Sequence, residues 1–490
     1  MFSITSGQSL AMMVDLYEIT MAQGYWKEKM EDDEAVFHLF FRKKPFNGNY
    51  AIAAGLASVL SFLQNFHFTK EDIDYLRSLK TASNTSLFIP EFLDYLKDIT
   101  FSCNVDAVCE GQVVFPYEPL IRVQGPIIQS QLIESALLTL INFPTLVATK
   151  AARICLAAQG DEVIEFGLRR AQGIDGAMTA TRASFIGGCA STSNTLAAKW
   201  LGIPVRGTHA HSWVMAFDNE MSSFKAYARA MPDNSLFLVD TYNSLQGVKN
   251  AIEVGKWLRE QGKQFLGIRL DSGDIAYLSI ESRKLLDAAG FKDAHIIASN
   301  ELDEYLIADL KQQGAKVSIW GVGTKLVTGN PQSAIDGVYK LSALRKKGNK
   351  EWRYCLKTSE SMSKISDPGI LQVRRYFTKD RGNIADAIYD VTRDLFAGCT
   401  IIDPLDRTRK RTLESTWEVE ELLVPVMREG KCVYTIPSLI ESQMFCKQAL
   451  TRFDRTIKRF YNPHIYPVGM EMNLYEEKLR LIDQVREQSK

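Results

Sequence analysis

The chain has 490 residues, with 58 Lys and Arg set against 58 Asp and Glu, so no net field draws it to nucleic acid or to an anionic membrane surface. A hydrophobic fraction of 46% and a charged fraction of 24% are ordinary for a globular protein, and the length predicts two or three domains rather than one core. The eight cysteines form neither a C-x-x-C pair nor a regular framework and read as reduced thiols of a cytoplasmic protein. The opening "MFSITSGQSLAMMVDLYEIT" lacks the basic start of a secretory leader, and no apolar run reads as long enough to span a membrane.

Three zones follow along the chain. In the first, to about residue 145, strand-like runs "AVFHLFFR", "QVVFPY" and "LIRVQG" are separated by helical stretches, which favours an α/β or α+β layer. It ends in the helical pattern "QSQLIESALLTLINFPTLVATKAARICLAAQG", expected to break at Pro144. The middle zone, 146–344, repeats short apolar strands at "EVIEFG", "IGGCAS", "IPVRGTH", "LFLVDTY", "QFLGIRLD", "HIIASN" and "VSIWGVG". Helical patterns alternate with them. In "NSLQGVKNAIEVGKWLREQG", Leu245, Val248, Ile252 and Leu258 share a face and Gly262 ends the helix. This alternation implies parallel pairing, hence an α/β barrel, complete or incomplete, with a doubly wound sheet as the second choice. Beyond 344 the strand-like pieces become polar. They complete the first domain over about 345–435, making a second α/β domain built from both chain ends, and a helical region is expected over 436–490.

In a parallel architecture chemistry gathers where strands end. Those places carry "FGLRRAQGIDG", "STSN", "THAHS", "DTYNS", "RLDSGD", "SNELDE" and "GVGTKLVTG", each with hydroxyls, charges or glycines. Gly321, Gly323 and Thr324 follow a strand and offer backbone N–H groups to an anion, or simply make a tight turn. Arg269 and Asp271 lie two apart on one face of a strand end, where Arg269 suits a carboxylate or phosphate and Asp271 a ribose hydroxyl or a magnesium-bearing phosphate; an ion pair between them is the bland alternative. Asp274 reads as a helix cap. Phe166 offers a stacking ring beside Arg169 and Arg170. His209 and His211, in "GTHAHSWV", have three readings: metal ligands, a structural pair, or a nucleophilic imidazole presented at a loop.

At this point the chain resembles the nicotinate phosphoribosyltransferase family. The motifs are "DLYEITMAQGYW" (15–26), "FRKKPFNGNYAIAAGL" (41–56), "EFGLRRAQGIDGAMTATRASFIGG" (165–188), "STSNTLAAKWLGIPVRGTHAHSWV" (191–214), "RLDSGD" (269–274), "GVGTKLVTG" (321–329), "SDPGILQVRR" (366–375) and "YNPHIYPV" (461–468). The resemblance implies a cytoplasmic enzyme of NAD salvage that makes nicotinate mononucleotide and pyrophosphate from nicotinate and phosphoribosyl pyrophosphate (PRPP), with coupled ATP hydrolysis. It implies a homodimer, with Mg²⁺ accompanying the pyrophosphate or ATP and no partner among nucleic acids or membranes.

Residue by residue, the resemblance places the phosphorylated histidine at His211 and leaves His209 dispensable. It assigns Tyr17 and Phe166 to a sandwich around the pyridine ring, Tyr17 from the partner subunit. Thr208, Arg169 and Arg269 fall to nicotinate contacts, Asp271 to the ribose or the ring, and Gly321, Gly323 and Thr324 to the 5-phosphate of PRPP. Arg42, Lys43 and Lys44, otherwise a solvated charge run, become candidate phosphate contacts. Two departures stand out. Ile370 and Leu371 occupy positions where relatives often carry lysine. Ser193 is neutral where nicotinamide-using relatives carry an acid, which favours a carboxylate ligand.

Overall fold

The computed structural model describes residues 9–393 and 398–488. The chain divides into two compact units, Val147–Ser333 and one assembled from the residues up to Leu146 together with those from Ala334 onward. The boundaries expected at 145 and 345 therefore fall at 146/147 and 333/334. Pairing explains the second shift, because strand Gly337–Arg345 lies antiparallel against Glu34–Phe41. The tail from 436 is helical as expected, with helices Leu439–Thr451 and Met472–Gln488, and it clusters with this unit. Its strand Val468–Glu471 is parallel to Gly382–Asp390 and antiparallel to Cys399–Asp403.

Unit Val147–Ser333 is built on one parallel sheet. Its strands are β1 (Glu162–Glu165), β2 (Ser191–Thr192), β3 (Ser235–Leu238), β4 (Phe265–Leu270), β5 (His295–Asn300) and β6 (Ile319–Val322), in the spatial order β2-β1-β6-β5-β4-β3. Adjacent pairs are parallel throughout. The expected strand "IPVRGTH" shrinks to a single bridge between Val205 and Thr192, carried by Thr192 N–H to Pro204 O and Arg206 N–H to Thr192 O. Pro204 has no N–H to extend the ladder. The result is an incomplete barrel, an arc whose two ends, β3 and β2, do not pair.

Local chemistry fixes the connecting helices. Ser244–Glu260 starts where the Asn243 side chain accepts from Gln246 N–H, buries Val248, Ile252 and Leu258, and ends before Gly262 at φ +68°. Asp274 caps Ile275–Ala288 by accepting from Tyr277 N–H at 3.0 Å, as its position predicts. Gly267, at φ +144°, is required in β4 because a Cβ there would meet His295 O at 2.1 Å.

The other unit holds a seven-stranded and a six-stranded sheet besides a two-stranded ribbon, all largely antiparallel. Helices including Leu56–Gln64 and Pro90–Asp98 pack into its large apolar core. Within it Arg375, from the "QVRR" run, is buried as an ion pair, its Nη2 2.6 Å from Asp386 Oδ2, and also donates to Val113 O.

Two expectations fail along one helical run. Helix Glu134–Ala158 continues through Pro144. Burial of Leu146, Val147, Ala148 and Ala151 supplies packing that outweighs the lost hydrogen bond. Residues Ile127–Ala158 are also long and apolar enough to cross a bilayer by length and composition, yet 61% of the most apolar window is buried in protein, as in a core helix.

Beside the arc, Glu304 accepts from Lys150 Nζ at 2.5 Å and from Arg153 Nε at 2.8 Å, with all three side chains buried. Removing the carboxylate takes from two buried cations the anion they share, a change that costs about 3–5 kcal/mol. Glu304→Ala is therefore expected to lower the urea midpoint by that equivalent; an unchanged midpoint contradicts the ion-pair account.

Candidate active site

Because β1 to β6 are parallel, their carboxyl ends share one edge of the arc. A cavity of about 430 Å³ opens there. Phe166, Arg169 and Arg170 reach it from the turn after β1, Ser193 from the turn after β2, and Thr208 and His209 from the segment after Val205. Arg269 and Asp271 line it from the end of β4, Ser299 to Glu301 from β5, and Gly321, Gly323 and Thr324 from β6.

Hydrogen bonds fix the charged groups. Arg269 donates through Nη1 to Thr208 Oγ1 at 2.5 Å and to His209 O at 3.4 Å, while its buried Nε has no partner. Burial pulls the guanidinium pKa below its ordinary value, opposed by Asp271 and Asp240. Asp271 Oδ1 accepts from Ser299 Oγ at 2.5 Å, and its backbone N–H donates to Asp240 Oδ2 at 2.9 Å. Asp240 also accepts from Ser272 Oγ at 2.6 Å. The bland ion pair between Arg269 and Asp271 does not form. Under the β1 turn, buried Glu165 accepts from Thr192 Oγ1 at 2.6 Å, Thr181 Oγ1 at 2.9 Å and Gly167 N–H, tying β1, β2 and a helix together.

The two histidines part company. His209 is buried, its Nε2 accepting from Leu238 N–H at 3.2 Å and its Nδ1 3.4 Å from Ala210 O. Tyr227 packs edge-on against the ring at a centroid distance of 4.9 Å. Burial lowers its pKa to about 4, so the imidazole is neutral. It fits the structural reading of the pair, and with both nitrogens engaged the metal reading loses one of its ligands. His211 opens the short helix His211–Met215 with its side chain 39% exposed. Its Nδ1 is 3.2 Å from Thr241 Oγ1 and its Nε2 is 3.6 Å from Asp271 Oδ2.

Phe166 owes its place to glycines. A Cβ on Gly321 would sit 2.6 Å from the Phe166 ring, and one on Gly167 would sit 2.2 Å from Val327 Cγ1. Gly323 precedes the one-turn helix Thr324–Val327, and Thr324 Oγ1 donates to Glu301 at 3.0 Å. Asn300 adopts φ +145° at the cavity wall, a backbone region that residues with side chains rarely occupy.

Sequence reasoning missed the supports Glu165, Asp240, Thr241 and Ser299, and the strained Asn300. Their loops "DTYNS" and "SNELDE" stand out by composition, but only the register shows which side chains meet. Tyr17, on helix Leu16–Lys27 of the other unit, is 46% exposed and does not line this cavity. Burial and the carboxylates of Glu134, Glu18 and Asp15 push its phenol pKa up. Arg42, Lys43 and Lys44 also belong to that unit, as do Ile370 and Leu371, both buried. Among the described residues no group of three or more His, Cys, Asp or Glu side chains is arranged to hold a metal ion.

Fold and cavity together define an α/β half-barrel enzyme architecture with an anion-receptive site at its carboxyl edge. Models of the nicotinate phosphoribosyltransferase N-terminal domain, family and C-terminal domain match residues 12–142, 162–377 and 371–478. Nicotinate phosphoribosyltransferase of Bacillus subtilis is 39% identical over 98% of this chain and 96% of its own, and that of Dictyostelium discoideum 36% over 95% and 87%. The crystal structure of human nicotinic acid phosphoribosyltransferase superposes with a TM-score of 0.82 at 31% identity, covering 95% of this chain and 99% of the other. The chain belongs to the nicotinate phosphoribosyltransferase family.

The contrast between the histidines is measurable. His209→Ala loses packing and leaves Leu238 N–H unsatisfied, so its Tm falls; His211→Ala stays within about 0.5 kcal/mol of the parent. With the folded pKa of His209 depressed from 6.5 to about 4, its stabilising effect is present above pH 6.5 and is lost as pH falls through 4. The decline in stability over that window is therefore expected to be shallower in His209→Ala. Equal slopes contradict the assignment.

Proposed function

We propose that the protein is a cytoplasmic nicotinate phosphoribosyltransferase of NAD salvage that joins nicotinate to PRPP, coupled to ATP hydrolysis through phosphate carried on His211. The observation that carries the reading is Arg269. It is held by Thr208 with one buried guanidinium donor unspent, in a cavity that also presents the Phe166 ring. An aromatic acid satisfies both features, stacking on the ring and accepting from the guanidinium. Arg169 adds positive charge, and neutral Ser193 spares the carboxylate a repulsive neighbour.

In the transfer step the pyridine nitrogen attacks C1 of the ribose while the C1–O bond to pyrophosphate breaks. The sugar gains oxocarbenium character, so positioning and stabilisation of the leaving anion do most of the catalysis. Asp271, held by Ser299 and Asp240, is placed for the ribose, and the Gly321–Thr324 turn for the 5-phosphate. Tyr17, exposed on its helix, is assigned to the second face of the pyridine from the other copy in a homodimer. Mg²⁺ carried on pyrophosphate or ATP needs few protein ligands, and the carboxylates of Asp271 and Glu301 line the cavity.

For coupling, an imidazole nitrogen of His211 bonds to the terminal phosphorus of ATP and ADP departs. Water later cleaves the phosphoramidate to phosphate and free imidazole. Thr241 and Asp271 orient the ring, and Asp271 stabilises the cation that forms on it.

Steady-state assays with PRPP and nicotinate, nicotinamide or quinolinate are expected to give turnover with nicotinate; preference for nicotinamide refutes the role of Ser193. Arg269→Gln is expected to lower kcat/KM for nicotinate roughly 10- to 100-fold, as loss of a charged hydrogen bond worth about 1.5–3 kcal/mol predicts. His211→Ala is expected to retain synthesis at high PRPP while ATP no longer stimulates it; continued stimulation contradicts the coupling residue.

A further inference from the structure

A second cavity, larger than the first at about 690 Å³, lies wholly within the unit built from the chain ends. Of the residues considered above as substrate contacts, only Arg42 and Lys44, candidate phosphate contacts by resemblance, line it; those of the cavity at the arc's edge do not. Its wall is split by chemistry. One part is apolar and aromatic. Phe115 and Tyr466 stack there at 4.4 Å, and Tyr466 is locked by donating from its hydroxyl to Asp386 Oδ1 at 2.8 Å. At the mouth Leu405 and Ile465 stand 49% and 47% exposed, apolar surface left to solvent on a wall that also includes Tyr117.

The other part is basic. Strands Cys399–Asp403 and Asp406–Leu413 form a hairpin in which Ile401 pairs with Arg411 and Ile402 with Lys410. It brings Arg409, Lys410 and Arg411 to the cavity, joined by Lys44 and Arg42. Five basic residues thus line the cavity with two acidic ones, Asp403 and Asp406. Both carboxylates are spent on Arg409, at 3.8 Å and 3.1 Å. Among the described residues neither Lys44 nor Lys410 has an ion-pair partner, and burial together with Arg409 lowers the pKa of Lys44, a sign of crowded positive charge. A cationic cluster of this kind, unlike a scattered solvated face, is a site for a multiply charged anion.

We propose that this cavity is a second ligand site that binds a nucleotide, its phosphates on the Lys44–Arg409–Lys410 rim and its base against the Tyr117, Leu405 and Ile465 wall. The volume suits a ligand of that size. The two halves make different contributions: the rim supplies salt-sensitive charge contacts, and the wall supplies apolar burial that inorganic phosphates cannot use. The proposal goes beyond the transferase reading, with Arg42 and Lys44 the only positions common to both.

Calorimetric titration of the full chain with ADP tests the assignment, with pyrophosphate as the probe that lacks a base. The expected result is a saturable ADP site weakened at least tenfold in Arg409→Ala/Lys410→Ala and in Ile465→Asp, and retained in Arg269→Gln. Thermal melts of the same samples establish that both variants are folded, and two separate surfaces guard against damage to the hairpin alone. ADP binding that is absent from the parent, or unchanged in both variants, overturns the proposal. Pyrophosphate binding as tightly as ADP overturns the nucleotide assignment. ADP that also occupies the cavity at the arc's edge appears as a second stoichiometric class lost in Arg269→Gln, so the fate of the transferase reading is scored separately.

Discussion

The constraint on which the structure turns is the parallel register of six short strands. A parallel ladder delivers every strand end of one polarity to one edge, and here that edge receives Phe166, Ser193, Arg269, Asp271, Ser299 and Gly321 from segments spread over more than 150 residues of chain. Antiparallel pairing would have sent alternate loops to opposite edges. Two charged groups at the edge are then held by neighbours from other segments: Arg269 by Thr208, Asp271 by Ser299 and Asp240. Since the supports lie on separate loops, the site holds together only while the ladder does, and the buried Lys150–Glu304–Arg153 cluster belongs to the same scaffold.

The histidine pair shows how a spacing of two separates roles. His209 turns inward, where apolar burial and a backbone N–H keep it neutral, and His211 stays half-exposed between Thr241 and Asp271. The buried ring fixes the path of the loop that carries both Thr208 and His211. A structural role at His209 thus leaves the imidazole two residues on for the proposed chemistry.

Much of the arc was legible in the sequence because its cues are local. Apolar runs of four to six residues, an Asn or Asp at several helix starts and Gly262 after a helix end are short-range signals, and Asp274 behaves as its position dictates. What was not legible depends on distant partners. "IPVRGTH" reads as a strand, but Pro204 and a single neighbour leave it one bridge. Pro144 reads as a break, but packing on both sides carries the helix through. The boundary near 345 and the fate of the tail were hidden because strands Gly337–Arg345 and Val468–Glu471 find their partners far away in sequence. In the site, Arg269 and Asp271 announce themselves as charges at a strand end. Glu165 and Asp240 look no different from any surface acid until their hydroxyl and N–H donors are seen.

On the proposed coupling the half-exposed imidazole of His211, and not the buried ring of His209, carries phosphate during turnover. Peptide mapping by mass spectrometry, under alkaline conditions that preserve phosphoramidates, after exposure of the intact protein to ATP tests it most directly. A single phosphoryl group on His211 is the expected result. Label on His209, or none on either ring while ATP is consumed, would contradict it.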